Sequence, residues 1–547
     1  MNLSALKRTE TIAQLSTTPF DLVVIGGGIT GAGIALDAVS RGLKTALIDM
    51  KDFASGTSSK STKLIHGGLR YLKQLEISLV REVGRERAIV HRLAPHLVSP
   101  EKMLLPLIKD GTYGVWSTSL GLWVYDALAG VHGADKRQIL DKEETLKKEP
   151  LLQSRADILT GSGFYAEYRT DDARLTIENI KTAAQRGAIC LNYIKASNFI
   201  YENDEITGIH CEDIFSGQTF ALRSRLVVNA AGPWVDELRS KDQVLEGKRV
   251  FHSKGVHIVV PRSKFPVRQA VYFDVADGRM IFAIPRQRVT YIGTTDTPYE
   301  GNLSQIPILK SDVQYLLNAV NAMFPQLALQ LEDVESAWAG LRPLIYESGK
   351  SASEMSRKDE IFESDRGLIS IAGGKLTGYR KMAERICTRA VEKLGKGATH
   401  SSTDQIELVG GPFANAKEVK AYVLQLSNRL NHFNFPEQTA EYLVANYGRQ
   451  SDIILDKMPV FQTDPKIALA RAEAWFCIHY ELATTLLDFF NRRTGRLFFN
   501  LPGILAVLQP VAADFKQYLA WDSTRHQQEI RDLEACIRNI SHFEEEA

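Results

Sequence analysis

The residues with the clearest chemical signature stand near the start of the chain. Gly26-Gly-Gly28-Ile-Thr-Gly31 has the spacing G-x-G-x-x-G and directly follows the apolar run Asp21-Leu-Val-Val-Ile25. In that spacing the first glycine permits a tight turn, the second lets a pyrophosphate reach the backbone, and the third lets a helix lie close on a strand. The chemistry implied is capture of a dinucleotide by unpaired N–H groups at a helix start. Asp49 ends the next apolar run, where a carboxylate would grip ribose hydroxyls. Just beyond it, Thr57, Ser58, Ser59, Ser61, Lys63, Leu64, His66, Gly67 and Gly68 gather small hydroxyls and paired glycines. Such a loop can wrap a ribityl chain and turn backbone N–H groups toward a flavin, so FAD is expected in preference to NAD.

Particular elements must hold these residues. The continuous apolar run at 21–25 reads as a strand covered on both faces. Within 29–41, Ile34, Ala35, Ala38 and Val39 make the stripe of a helix packed on a sheet, and 44–48 reads as a second strand. This β-α-β unit implies parallel pairing and an α/β fold with a Rossmann-type FAD-binding domain. The strand-to-glycine junction recurs at 225–229, before Ala230-Ala231-Gly232, and at 368–372, before Gly373-Gly374-Lys375-Leu376-Thr377. Both are expected to return to the same sheet and to bring those residues to the cofactor. Residues 1–96, 166–239 and 336–400 would then form the FAD-binding domain, and 97–165 with 240–335 a sheet-bearing substrate domain over the site. From about residue 401 glycine becomes sparse and amphipathic helices read at 416–430 and 467–480, so 401–547 is expected to be a helical C-terminal domain.

Bulk composition narrows the function. With 66 basic and 65 acidic residues among 547, nothing points to nucleic acid, and any anion site must be local. The five cysteines are scattered without a C-x-x-C pair, which argues against a zinc site or disulfide framework and fits a reducing compartment. No metal and a cytoplasmic location are therefore expected. No apolar stretch approaches the ~20 residues of a membrane span. Residues 103–129, however, hold Tyr113, Trp116, Trp123 and Tyr125 among leucines and valines. They would suit either a bilayer surface or packing inside the second domain.

At Ser58 to Leu72 the string SSKSTKLIHGGLRYL resembles the signature of the FAD-dependent glycerol-3-phosphate dehydrogenases, within the wider D-amino-acid-oxidase-like flavoproteins. The resemblance continues through Asp171-Asp-Ala-Arg174, Asn229-Ala-Ala-Gly-Pro-Trp234, Lys254-Gly-Val-His-Ile-Val-Val-Pro261, Ile292-Gly-Thr-Thr-Asp296, Gly340-Leu-Arg-Pro343 and Gly373-Gly-Lys-Leu-Thr377. It reaches the C-terminal region through Tyr447-Gly448 and Arg492-Arg-Thr494. Asp49 stands where glutamate is common, and Gly378 where a threonine is usual.

The resemblance implies oxidation of glycerol 3-phosphate, with FAD taking a hydride from C2 and a quinone as the final acceptor; the alternatives are an oxidase that reduces oxygen and an FAD-binding assembly protein without turnover. It also implies a chain peripheral to the inner face of the cytoplasmic membrane, and a homodimer is a further expectation. In or near the matched blocks Arg70, Arg342 and Arg357 are the candidates to grip phosphate, which a guanidinium does through two parallel hydrogen bonds. Tyr71 would orient substrate. His257, on an apolar run that reads as a buried strand, is the expected general base because its pKa can sit near neutrality. Lys375 would stabilise the reduced flavin, and Arg342 and Lys375 an alkoxide.

Overall fold

Leu22–Ile25 carries four aliphatic side chains, all buried, and such a strand must lie in the interior of a sheet. The computed structural model describes residues 3–65, 77–109, 111, 136–243, 245–346, 358–397 and 399–545. Among these, a six-stranded sheet has the order Asp359–Glu363, Ile369–Gly373, Val227–Asn229, Leu22–Ile25, Thr45–Ile48, Ile189–Leu191. All its pairings are parallel except that of the Asp359–Glu363 edge. The helix Ile29–Ser40 follows the glycine turn and packs so closely that a Cβ on Gly31 would run into the carbonyl of Gly26. Both later strand-to-glycine junctions do return to this sheet, beside Leu22–Ile25 and beside each other.

A ten-stranded sheet lies alongside. Its spine is Val250–Pro261, flanked by Val289–Gly293 and Thr297–Pro298 on one edge and by Ser336–Ile345 on the other. Ser336–Ile345 was expected in the FAD-binding domain, yet it pairs with Val250–Pro261 along its length, from Val250↔Ile345 to Val259↔Ser336. Leu159–Arg169 and Leu64–Ile65 also belong to this sheet. A strand's own pattern marks which face is buried but not which neighbour it takes, so the boundaries near 165 and 336 fall elsewhere. An antiparallel three-stranded sheet, Ile194–Glu202, Glu205–Asp213 and Thr219–Arg223, is an unforeseen addition.

Met103, Leu104, Leu105 and Leu107 are buried on the strand Ser99–Ile108, in the core of the large sheet rather than at a bilayer surface. The aromatic residues of that segment, at 113, 116, 123 and 125, lie outside the described residues. No described helix is long and apolar enough to cross a membrane.

The C-terminal region is helical, with Ala416–Asn431, Glu437–Tyr447, Pro465–Tyr480, Leu501–Tyr518 and Ser523–Ser541 as its longer helices. Side chains of Asn415, Asp464 and Asp522 accept the first free N–H groups of three of them. A π-helical turn, Asp488–Arg493, ties this region to the nucleotide-binding sheet. Arg493 donates twice to Asp52, at 2.7 and 2.9 Å, just past the strand Thr45–Ile48. Arg174 pairs with Glu481 at 2.7 and 2.8 Å, and Lys181 joins Glu481 at 2.6 Å.

Candidate active site

The C-terminal ends of the parallel strands open onto a cleft of about 2060 Å³, counted to its open mouth. This is where ligands bind in open α/β sheets. From the first β-α-β unit Gly26, Gly28 and Asp49 line it, and from the following loop Thr57, Ser58, Ser61 and Leu64. Ala231 and Gly232 come from the second junction, and Gly373, Gly374, Lys375, Leu376 and Thr377 from the third. A Cβ on Gly28 would point into this space, with only Ser58 Oγ near it at 3.2 Å, so a ligand can approach the backbone there. Asp49 accepts the Gly27 N–H at 2.7 Å and the Lys51 N–H at 2.8 Å, and burial raises its carboxyl to about 6.

Three residues expected at the cofactor do not line the cleft. Gly31 serves the packing of helix on strand. Ser59 is buried behind the loop. The Lys63 side chain turns away, because Asp172 and the Ser59 carbonyl, at 3.1 Å, hold its ammonium. Its work is to tie the loop to the helix Asp172–Gln185, a correction to its reading as a flavin contact. His66, Gly67, Gly68, Arg70, Tyr71 and Arg357 lie outside the described residues.

At the other side of the cleft the large sheet presents one face. Alternation along Val250–Pro261 puts Ser253, Gly255 and His257 on it, and the register sets Arg342, Gly340 and Trp338 opposite them. The glycines make the room. A Cβ on Gly255 would collide with the Arg342 guanidinium, and one on Gly293 with the His257 imidazole. Arg342 donates to Thr294 Oγ1 at 3.0 Å, the Thr295 carbonyl at 3.2 Å, Asp296 at 3.3 Å and Ser253 Oγ at 3.4 Å. Its side chain stays 20% exposed toward the cleft.

His257 stacks on Trp338 with ring centres 4.8 Å apart, and its Nε2 meets Thr62 Oγ1 at 2.9 Å. Its pKa does not sit near neutrality as expected. Burial, reinforced by the positive charges of Arg342 and Lys63, pushes it well below 6.5, so the imidazole is neutral at physiological pH. Trp338, Thr62 and Asp296 were missed by residue-type reasoning. Thr62 and Asp296 stood inside strings already singled out, and strand register with Val250–Pro261 is the signal that would have found Trp338.

Residues 21–380 match the family model described as FAD dependent oxidoreductase, and residues 401–526 the C-terminal domain of alpha-glycerophosphate oxidase. The aerobic glycerol-3-phosphate dehydrogenase of Bacillus subtilis is 46% identical over 546 residues, 98% of each chain. That of Staphylococcus epidermidis is 46% identical over 548 residues, again 98% of each. The solved glycerol-3-phosphate dehydrogenase of Bacillus halodurans, complexed with FAD, superposes with a TM-score of 0.85 at 42% identity, covering 100% of both chains. Likeness of this extent, joined to a dinucleotide cleft at the end of a parallel sheet, places the chain in the FAD-dependent glycerol-3-phosphate dehydrogenase family, with FAD as its cofactor.

Proposed function

We propose that this chain oxidises the C2 hydroxyl of glycerol 3-phosphate to the ketone of dihydroxyacetone phosphate. The observation that carries the reading is the pairing, on one sheet face, of a cleft-facing guanidinium, Arg342, with a neutral buried imidazole, His257. When bound, FAD supplies the acceptor for the hydride that leaves C2. In this reading Gly26 and Gly28 approach its pyrophosphate, Asp49 accepts from its ribose, and the Thr57–Ser61 stretch with Gly373 to Thr377 surrounds the flavin end. Arg342 grips the phosphate, with Arg70 and Arg357 as partners and Tyr71 orienting the substrate. Lys375 sets positive charge against the reduced flavin. His257 is the destination of the hydroxyl proton, a role that requires the neutral ring its surroundings enforce.

The electron acceptor in this reading is a quinone, met at a membrane surface by a chain that pairs as a homodimer. The relatives bear the name of dehydrogenases rather than oxidases, which favours an acceptor other than oxygen. A rival is direct reduction of oxygen, favoured by the match of residues 401–526 to an oxidase domain. Anaerobic mixing of the purified yellow protein with glycerol 3-phosphate tests the substrate. Bleaching of the flavin at millisecond to second times is expected, and an unchanged spectrum overturns the reading. Reoxidation by a soluble quinone faster than by air supports the quinone; the reverse establishes the oxidase.

A further inference from the structure

His257 touches the cleft only with a sliver of its surface. It is 1% exposed, and its Nδ1 is sealed, with no hydrogen-bond partner among the described residues. Trp338 covers one face of the ring, and the Gly293 backbone lies against its Cδ2–Nε2 edge. Among the described residues the polar way in is Thr62, half-buried and part of the cleft wall, whose hydroxyl stands 2.9 Å from Nε2. Thr62 is also firmly held. Its carbonyl accepts the Tyr291 hydroxyl at 3.2 Å, its neighbour Ser61 donates its N–H to Asp172 at 3.0 Å, and Lys63 is bound to the same carboxylate. With its backbone held on both sides, the threonine keeps its hydroxyl in place beside Nε2.

We propose that Thr62 relays the substrate proton to His257. The inference rests on the reading of this cleft as a site of alcohol oxidation. A neutral imidazole has one N–H and one bare lone pair. If Nε2–H donated to Thr62, the lone pair would sit on sealed Nδ1, beyond the reach of anything in the cleft. With Thr62 donating instead, Nε2 is the base and the threonine oxygen turns its lone pairs to the cleft. The step then balances. The C2 O–H bond of the substrate breaks and its proton bonds to Thr62 Oγ1, while the former Thr62 proton bonds to His257 Nε2. The C2–H electron pair leaves as hydride to the flavin, the alcohol becomes a ketone, and Thr62 ends as it began. The ring that takes the charge faces Arg342 with its partner Asp296, and Lys63 with Asp171 and Asp172, so each opposing cation already has a carboxylate beside it.

The test compares Thr62→Val, which keeps the shape, with Thr62→Ser, which keeps the hydroxyl, each checked for full flavin content. Anaerobic flavin reduction in Thr62→Val is expected to slow by roughly 10²-fold, the lower end of what general-base catalysis supplies, with little change in substrate affinity. Mixtures of light and heavy water should show two protons moving in the wild type and in Thr62→Ser, and not in Thr62→Val. Nitrogen NMR of histidine-labelled holoenzyme, assigned with His257→Asn, gives a readout independent of turnover: a protonated Nδ1 and a bare Nε2. A protonated Nε2 in the wild type, or wild-type reduction with an unaltered isotope effect in Thr62→Val, overturns the relay. Wild-type flavin that glycerol 3-phosphate fails to bleach overturns the functional reading instead, and the relay with it.

Discussion

Among the described residues, one cluster of buried charge lies under the C-terminal helices and another in the cleft, and they are built on opposite terms. At the first, Asp52 meets Arg492 and Arg493, and Glu481 meets Arg174 and Lys181, with all of these side chains between 0 and 6% exposed. Each charged tip ends on protein, and the two arginines hold the Asp52 carboxyl down at about 2. In the cleft, Arg342 has its carboxylate farther off, at 3.3 Å, and keeps part of its guanidinium uncovered. His257 nearby is stripped of charge altogether. Charge that is fully answered within the fold holds the fold together. Charge that keeps an exposed edge on the cleft can meet a ligand.

The sharpest way to break the cleft cluster is His257→Asn. Anaerobic flavin reduction should fall by roughly 10²–10⁴, while substrate affinity changes little. Because the wild-type ring titrates well below 6.5, its rate should be flat across the neutral range and decline only on the acid side. A rise through neutral pH would show that the base is another group.

Asp52→Asn attacks the other cluster. Removing one member of a buried ion pair costs about 3–5 kcal/mol, so urea unfolding should shift to much lower concentrations while the surviving folded enzyme turns over normally. The pH dependence has a definite sign. The folded carboxyl is depressed to about 2 against an unfolded value of ~3.9, so its stabilisation is complete above the latter and is lost as pH falls through the former. Unaltered urea stability would mean that the two arginines find other partners.

A smaller effect separates the two kinds of arginine. Arg342→Ala should lower the reduction rate by glycerol 3-phosphate at least tenfold more than by glycerol, since one hydrogen bond to a charged group is worth ~1.5–3 kcal/mol. Stability should hardly move. Equal losses on both substrates would place Arg342 away from the phosphate.

The smallest is at the cofactor. With its carboxyl raised to about 6, Asp49 is charged at neutral pH and becomes protonated on mild acidification. FAD should therefore bind more weakly below that value, by up to ~1.5 kcal/mol, or tenfold, and Asp49→Asn should abolish the dependence. Titration of the apoprotein with FAD at two pH values decides it.

What the sequence made legible was local or repeated. The strand, glycine turn and helix from Asp21 to Ser40 declare themselves within a short window, because turn chemistry and periodicity act between near neighbours. The two later junctions were readable because they repeat that pattern. The partner of Ser336–Ile345 was not, nor the turn of Lys63 away from the cleft toward Asp172, because both depend on residues far along the chain. The same holds for His257. Its residue type announces a base near neutrality, while its pKa is set by burial and by cations brought from residues 63 and 342.

The contact between Asp52 and Arg493 also has a consequence for how the chain is made. The two residues are 441 positions apart, and the nucleotide-binding sheet itself draws strands from as late as Ile369–Gly373. During synthesis the N-terminal glycine turn leaves the ribosome long before Val227–Asn229 and Ile369–Gly373 of the same sheet, and Asp52 waits longest of all for its arginines. A nascent chain halted near residue 400 would carry the whole match to the oxidoreductase family, yet hold Asp52, Arg174 and Lys181 without their countercharges. In such a chain the buried acid has no arginine to meet, so this cluster closes only after residue 493 has been made.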